Sequence, residues 1–293
     1  MAQPPPHPVF VGGTQRSGTS ILGRLIGKHS RFERIREIQF HTNPGGLVDY
    51  IAGRVTLADF VERLRTAWWK REYRRTAEEE LDVRGLFRFV DEADFERAVA
   101  AFEERAPGDP RGAAGRLVLD LIDPVAERAG KESWVESTPT TAAAAVTLFA
   151  MLPGMKLIHV VRDGRDVACS VVTFAWGPSD VVEAIRWWGG RLREADAGAR
   201  ALPEDRVLTL QLEDLLADDR EAAFASLLDF LEVEDERPMR SWFDRIVTPE
   251  SGHVGRWRTE IPAERLDEAL ATYESVVDDL RAGGVASTPP VRD

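Results

Sequence analysis

Cysteine is nearly absent: Cys169 stands alone among 293 residues, so no internal disulfide can form and a reducing, intracellular compartment is expected. No apolar run approaches the roughly 20 residues of a membrane span, and the start, MAQPPPHPVFVGG, has no basic segment leading into an apolar one. Positive charge is in deficit. With 38 Lys and Arg against 50 Asp and Glu, the net charge is −12, which excludes broad binding to nucleic acid or an anionic membrane, since both need a basic face. Any anion site must be local. The five histidines are scattered, with no H-E-x-x-H pattern and no cysteine cluster, so no metal is expected. Repeats are missing, and the only biased segment is the proline-rich first eight residues. The expectation is a soluble cytoplasmic protein.

Short apolar runs alternate with helical patterns along the rest of the chain. VFVG at 9–12 predicts a strand running into a glycine-rich loop, and SILGRLIGKH at 20–29 a helix with Ile21, Leu22, Leu25 and Ile26 on one side. Residues 33–36 are a second strand candidate. Residues 57–129 are charged and helical in pattern, with Trp68, Trp69, Phe87 and Phe89 as apolar anchors. SWVES at 133–137 is a third strand candidate, followed by TTAAAAVTLFAML as a helix that Pro139 starts. KLIHVV at 156–161 is the clearest strand, because a continuous apolar run suits a parallel strand covered on both faces. RVLTLQL at 206–212 is another. Residues 220–231 and 262–282 predict amphipathic helices, and GGVASTPPVRD a frayed tail. The alternation indicates an α/β fold in three layers, with a central, mostly parallel sheet of about four to five strands flanked by helices. One domain at 8–285 is expected, with 42–130 as a helical insertion between two halves of the sheet and flexible ends at 1–7 and 286–293.

In such a sheet the ligand lies at the carboxyl ends of the strands, where GGTQRSGTSI at 12–21 opens. Gly13 and Gly18 keep the spacing of a phosphate-binding P-loop, but Thr19 stands where that pattern has lysine, and Ser20 follows. The only cation, Arg16, sits inside the loop. Backbone N–H groups at a helix N-terminus hold an anion whatever the side chains do; Ser17, Thr19 and Ser20 add hydroxyls, and Arg16 a planar cation suited to oxyanions. A plain glycine-rich strand-to-helix turn is the lesser alternative for the stretch on its own. A second site appears in LIHVVRDGRDVACSVV at 157–172: Arg162 emerges at a strand end and Ser170 follows eight residues on, about two turns into a helix beginning near Asp163.

Together the two motifs resemble those of the PAPS-dependent sulfotransferases, which bind 3′-phosphoadenosine 5′-phosphosulfate (PAPS). The family's first loop reads roughly P-K-S-G-T-T or R-S-G-T-T, matched by Gln15, Arg16, Ser17, Gly18, Thr19 and Ser20. Its second motif is an arginine and a serine that hold the nucleotide 3′-phosphate, matched by Arg162 and Ser170. REIQFH at 36–41 resembles the E-I-Q-F-F stretch of the heparan-type and related carbohydrate enzymes, whose glutamate is the base. GHVGRWR at 252–258 resembles the C-terminal nucleotide loop G-x-x-G-x-W-K, which carries over to Gly255, Arg256, Trp257 and Arg258, and LEDLLAD at 212–218 resembles a segment after the fourth strand. The resemblance covers residues 8 to about 265. Three departures stand out. Glu250 and Ser251 replace the basic pair of the cytosolic members, so one 3′-phosphate contact comes from His253, Arg256 or Arg258 or is missing. Leu212 replaces a common tyrosine, leaving the adenine contact open. Residues 42–130 match nothing in the family pattern and are where acceptor specificity would lie.

The resemblance implies in-line transfer of a sulfuryl group from PAPS to a hydroxyl or amine of a small-molecule or carbohydrate acceptor, without metal and with 3′-phosphoadenosine 5′-phosphate (PAP) as product. Arg16 would stabilise the charge that develops on the leaving oxygen, helped by Thr19, Ser20 and the helix N-terminus. Glu37 is the leading base and His41 the runner-up; for Glu37 the plain alternative is a solvated glutamate in a charged stretch. Trp187 and Trp188 read as packing or pocket lining, Trp257 as an adenine stack or a loop anchor, and Cys169 as a small buried apolar residue. Two other functions fit the first loop. A P-loop kinase or nucleotide triphosphatase would need a lysine after Gly18 and an acid at a strand end, neither of which is evident. A non-catalytic nucleotide-binding module would make Glu37 dispensable.

Overall fold

The glycine-rich start of the chain becomes the centre of a sheet. The computed structural model describes residues 7–73 and 82–292, and among these the strands are β1 (Val9–Gly13), β2 (Phe32–Arg34), β3 (Arg71–Tyr73), β4 (Asp82–Arg84), β5 (Ser133–Glu136), β6 (Lys156–Val161) and β7 (Val207–Gln211). Five of them form one parallel sheet in the order β2-β5-β1-β6-β7, with Val9 level with Val135 on one side and Lys156 on the other. Since β1 has neighbours on both sides and the chain crosses over it, its carboxyl end is the switch point where a ligand crevice opens.

The helices are α1 (Thr19–Ile26), α2 (Leu47–Ile51), α3 (Leu57–Arg63), α4 (Glu92–Arg105), α5 (Pro110–Arg128), α6 (Ala145–Met151), α7 (Gly164–Val171), α8 (Val181–Arg200), α9 (Arg220–Leu231), α10 (Arg237–Ile246), α11 (Pro249–Gly252), α12 (Trp257–Glu260) and α13 (Ala263–Ala282). Alternation along β1 divides them into layers. Val9 and Val11 face α1, α9 and α10 through Leu22, Leu25, Phe224 and Phe243. Phe10 points the other way, edge-on to Trp134 at 5.2 Å between centroids, into a core filled by α4, α5 and α6. A third cluster joins α7, α8 and α13 around Trp188 and Tyr273. β6 is buried along its whole length, as its apolar run predicts. Its His159, enclosed and without a ring partner, has its pKa lowered to about 4 by burial and stays neutral. No helix among the described residues is long and apolar enough to cross a membrane.

Residues 42–130 are no separate lobe, because Phe60, Trp68, Phe95 and Phe102 share the core of Phe10. The helical reading of 57–129 misses β3 and β4, an antiparallel pair with Glu72 opposite Val83. Three residues per strand are too few to register a period of two in the sequence. Pro139 starts only a 3₁₀ turn, Pro139–Thr141, and the α-helix waits until Ala145. The delay reflects close packing against β1: a Cβ on Gly12 would lie 2.4 Å from the Ala142 nitrogen. The tail also differs from the frayed end expected at 286–293. Ser287 is buried and donates its N–H to Asp196, and Arg292 reaches Asp214 and Asp218, each at 2.7 Å.

Candidate active site

β1 delivers the chain into the loop at Thr14, and α1 takes it up at Thr19. Gly18 caps that helix with φ 96° and ψ 11°, no side chain bonds the helix N-terminus, and its first turn carries no acid. The free N–H groups and positive dipole end thus face the crevice uncompensated. Gly18 is required by space as well as by backbone, since a Cβ there would lie 2.7 Å from a Leu212 methyl. Inside the loop the hydroxyls of Thr14 and Ser17 are buried without a hydrogen-bond partner. Arg16 holds a left-handed conformation, φ 69°, which costs a non-glycine residue roughly 1–2 kcal/mol. Its side chain is exposed, with the guanidinium over the Phe174 ring at 4.8 Å. Gln15 is half-buried, Thr19 buried and Ser20 exposed.

The second motif meets the first. Arg16 Nε donates to Ser170 Oγ at 2.8 Å, and Arg162, at the end of β6, donates from Nη1 to the Arg16 carbonyl at 3.0 Å. Its Nη2 donates to the carbonyls of Gly252 (2.7 Å) and His253 (3.0 Å), while its buried Nε has no acceptor. Asp166, one helical turn on, receives the N–H groups of Gly255 (2.8 Å) and Trp257 (3.2 Å) and lies 3.6 Å from Arg162. Residues 252–258 are therefore stitched to the glycine-rich loop by one arginine and to α7 by one aspartate. Within that segment Arg256 pairs with Glu260 at 2.7 Å, and Trp257 lies under the guanidinium groups of Arg165 (4.0 Å) and Arg258 (4.6 Å). Both guanidinium groups pack on the indole ring. Leu212 is fully enclosed beneath the loop, with its methyls against Gly18. Cys169 is buried, its thiol pushed up to about 12 by loss of water, as expected of an inert apolar residue.

The two base candidates part company. Glu37 lies at the mouth of a cleft of about 340 Å³ that Ser20, on the first turn of α1, also lines. The carboxylate still reaches solvent, yet crowding by the surrounding protein raises its pKa; Gln39 donates to it at 3.1 Å, and the charges of Arg84 and Arg16 also oppose the rise. His41 is completely buried. The left-handed Gln39 (φ 59°) turns the following residues inward, so that His41 packs against Phe10, bonds Thr141 at 3.2 Å and faces Glu136 at 3.5 Å. It is a core residue and contacts no part of the cleft.

Glu136 was not singled out by sequence, although it is an acid at a strand end beside β1, a feature that seemed missing. It is fully enclosed, and its Oε1 accepts from the Ile38 N–H (3.2 Å), the Thr138 N–H (2.9 Å) and the Thr138 hydroxyl. It thereby fixes the segment that carries Glu37 to the end of β5. Asp166 was missed too. Its signal is an acid in the first turn of the helix that follows Arg162, close enough in sequence to pair with it.

A sequence-family profile described as "Sulfotransferase family" matches residues 8–237. Among solved structures the chain is similar to the sulfotransferase domain of an olefin synthase from Synechococcus PCC 7002, with a TM-score of 0.52 and 16% identity over 94% of this chain and 96% of that one. Its likeness to the sulfotransferase domain from the curacin biosynthetic pathway has the same TM-score and identity, over 94% and 98%. At such identity the likeness establishes the fold, a parallel sheet between helical layers. No curated protein sequence matches the chain.

Proposed function

The chain belongs to the sulfotransferase family, and from that premise we propose that it transfers a sulfuryl group from PAPS to a hydroxyl or amine of an acceptor held in the cleft beside Glu37. The observation that carries this reading is the meeting of the two phosphate motifs, Arg16 on Ser170 and Arg162 on the Arg16 carbonyl, at the carboxyl ends of β1 and β6. The residues there fit such a donor. The α1 N-terminus is uncapped, the hydroxyls of Thr14 and Ser17 are buried without partners, and so is Arg162 Nε; each is costly unless a ligand satisfies it. Gln15, Ser17, Gly18, Thr19 and Ser20 would hold the 5′ side, and Arg162, Ser170 and the 255–258 segment the 3′-phosphate side.

When bound, the donor supplies a sulfuryl group on a nucleotide leaving group. Arg16 stabilises the negative charge left on the departing oxygen, a role supported by its place in the loop and by the hold of Arg162 on its left-handed backbone. Glu37 takes the proton lost by the acceptor as its oxygen or nitrogen bonds to sulfur, and its raised pKa suits it to that exchange. Within a single domain at 8–285, residues 42–130 form the acceptor side: Trp68, Arg71 and Leu86 line the cleft. The test is calorimetry with PAP and ADP. A ligand with a 3′-phosphate gains a charge-assisted contact of about 1.5–3 kcal/mol, so PAP binds at least tenfold more tightly. Equal affinity for the two nucleotides overturns the donor assignment.

A further inference from the structure

The cleft beside Glu37 is unlike the rest of this acidic protein. Six arginines line it, Arg24, Arg34, Arg36, Arg71, Arg84 and Arg88, drawn from α1, the strand β2 and its exit, and the β3–β4 region. Only two carboxylates accompany them among the described residues, Glu37 and Asp82, which leaves an excess of four positive charges in a chain whose net charge is −12. Asp82 is shared by Arg84 (2.9 Å) and Arg88 (2.5 Å), and Arg71 bonds the neutral Gln39 side chain. Arg24, Arg34 and Arg36 have no carboxylate within ion-pair distance among the described residues, and Arg34 Nε is buried with no acceptor at all. Burial, then the like charges of Arg24 and Arg36, lower the pKa of Arg34 against the opposing charge of Glu37. Guanidinium groups crowded in this way repel one another unless an anion lies between them, and their planar forks suit oxyanions.

We propose that the acceptor is itself an anion, a compound bearing a phosphate or carboxylate near the group that receives the sulfuryl, and that Arg24, Arg34, Arg36 and Arg71 bind that charge. This rests on the acceptor reading of the cleft. A neutral acceptor leaves three cations without a carboxylate among the described residues, whereas an anionic one neutralises them and is drawn in by a positive cleft on a chain of net negative charge. The oxyanion meets Arg24, Arg34, Arg36 and Arg71, while the donor's own cations are Arg16 and Arg162, so the two negative ligands use different arginines.

The experiment measures PAP affinity first, then titrates the PAP-saturated protein with pyrophosphate and with malonate by calorimetry. One saturable site for either anion is expected, weakened at least tenfold in the Arg24→Gln/Arg36→Gln double variant while PAP affinity is unchanged. Both side chains are exposed and have no ion partner among the described residues, so the variant folds. Binding of pyrophosphate alone identifies a phosphate-bearing acceptor, and binding of malonate a carboxylate. No saturable binding of either anion, or binding that survives the double substitution, overturns the proposal. Failure of PAP itself to bind removes the donor reading and is recorded before either anion is added.

Discussion

Replacing Gly18 by alanine tests how the donor loop is held. At φ 96° an L-residue costs roughly 1–2 kcal/mol. The added Cβ would lie 2.7 and 2.8 Å from the two Leu212 methyls, well inside the ordinary 3.5–4.0 Å contact, and overpacking of that kind costs about 1–3 kcal/mol. Gly18→Ala therefore lowers stability by about 2–5 kcal/mol, the sum of the two. Leu212 is fully enclosed, and Leu212→Ala by itself costs about 2–5 kcal/mol through the cavity it leaves. In the double variant the missing methyls remove the clash but not the backbone strain, so its loss falls short of the sum of the single losses by about 1–3 kcal/mol. Urea unfolding of all four proteins, read at constant m-value, supplies the cycle. Additivity within about 0.5 kcal/mol, or a Gly18→Ala loss smaller than that, refutes the argument.

Glu37→Gln lowers kcat for sulfuryl transfer by ~10²-fold or more with PAP affinity preserved, and because the Glu37 pKa is raised, the acid limb of the wild-type rate profile lies above the ordinary carboxylate range; an unchanged kcat shows that another group takes the proton. Glu213 is buried and its pKa is raised from 4.5 to about 7 by loss of water. The folded protein therefore keeps a proton that the unfolded chain has lost. This contribution to stability is complete below pH 4.5 and vanishes as the pH rises through 7. Glu213→Gln flattens that dependence, so its stability relative to wild type is higher at pH 8 than at pH 5; parallel unfolding curves across that range contradict the assignment.

What the sequence disclosed follows from how local each signal is. β1, β6 and the helix at 220–231 were legible because apolar runs and periodicities are written in consecutive residues. Arg16, Arg162 and Ser170 were legible as motifs, but their mutual contact spans about 150 residues and only the sheet brings them together. His41 looked available because nothing in HTNPGG reveals that Gln39 turns left-handed and drives it into the core. The arginines of the cleft were hidden for a related reason. Spread from position 24 to 88 among many acids, they read as ordinary surface charge until β2 and the β3–β4 pair gather them.

The Arg162 clamp has a bearing on where the chain can be cut. Its guanidinium joins the donor loop to the carbonyls of Gly252 and His253, and both lie past the last residue of the family match, 237. A fragment trimmed to the matched region keeps both phosphate motifs, the whole parallel sheet and the Arg16 carbonyl that Arg162 bonds, yet loses the Gly252 and His253 carbonyls at its other nitrogen and the amides that engage Asp166.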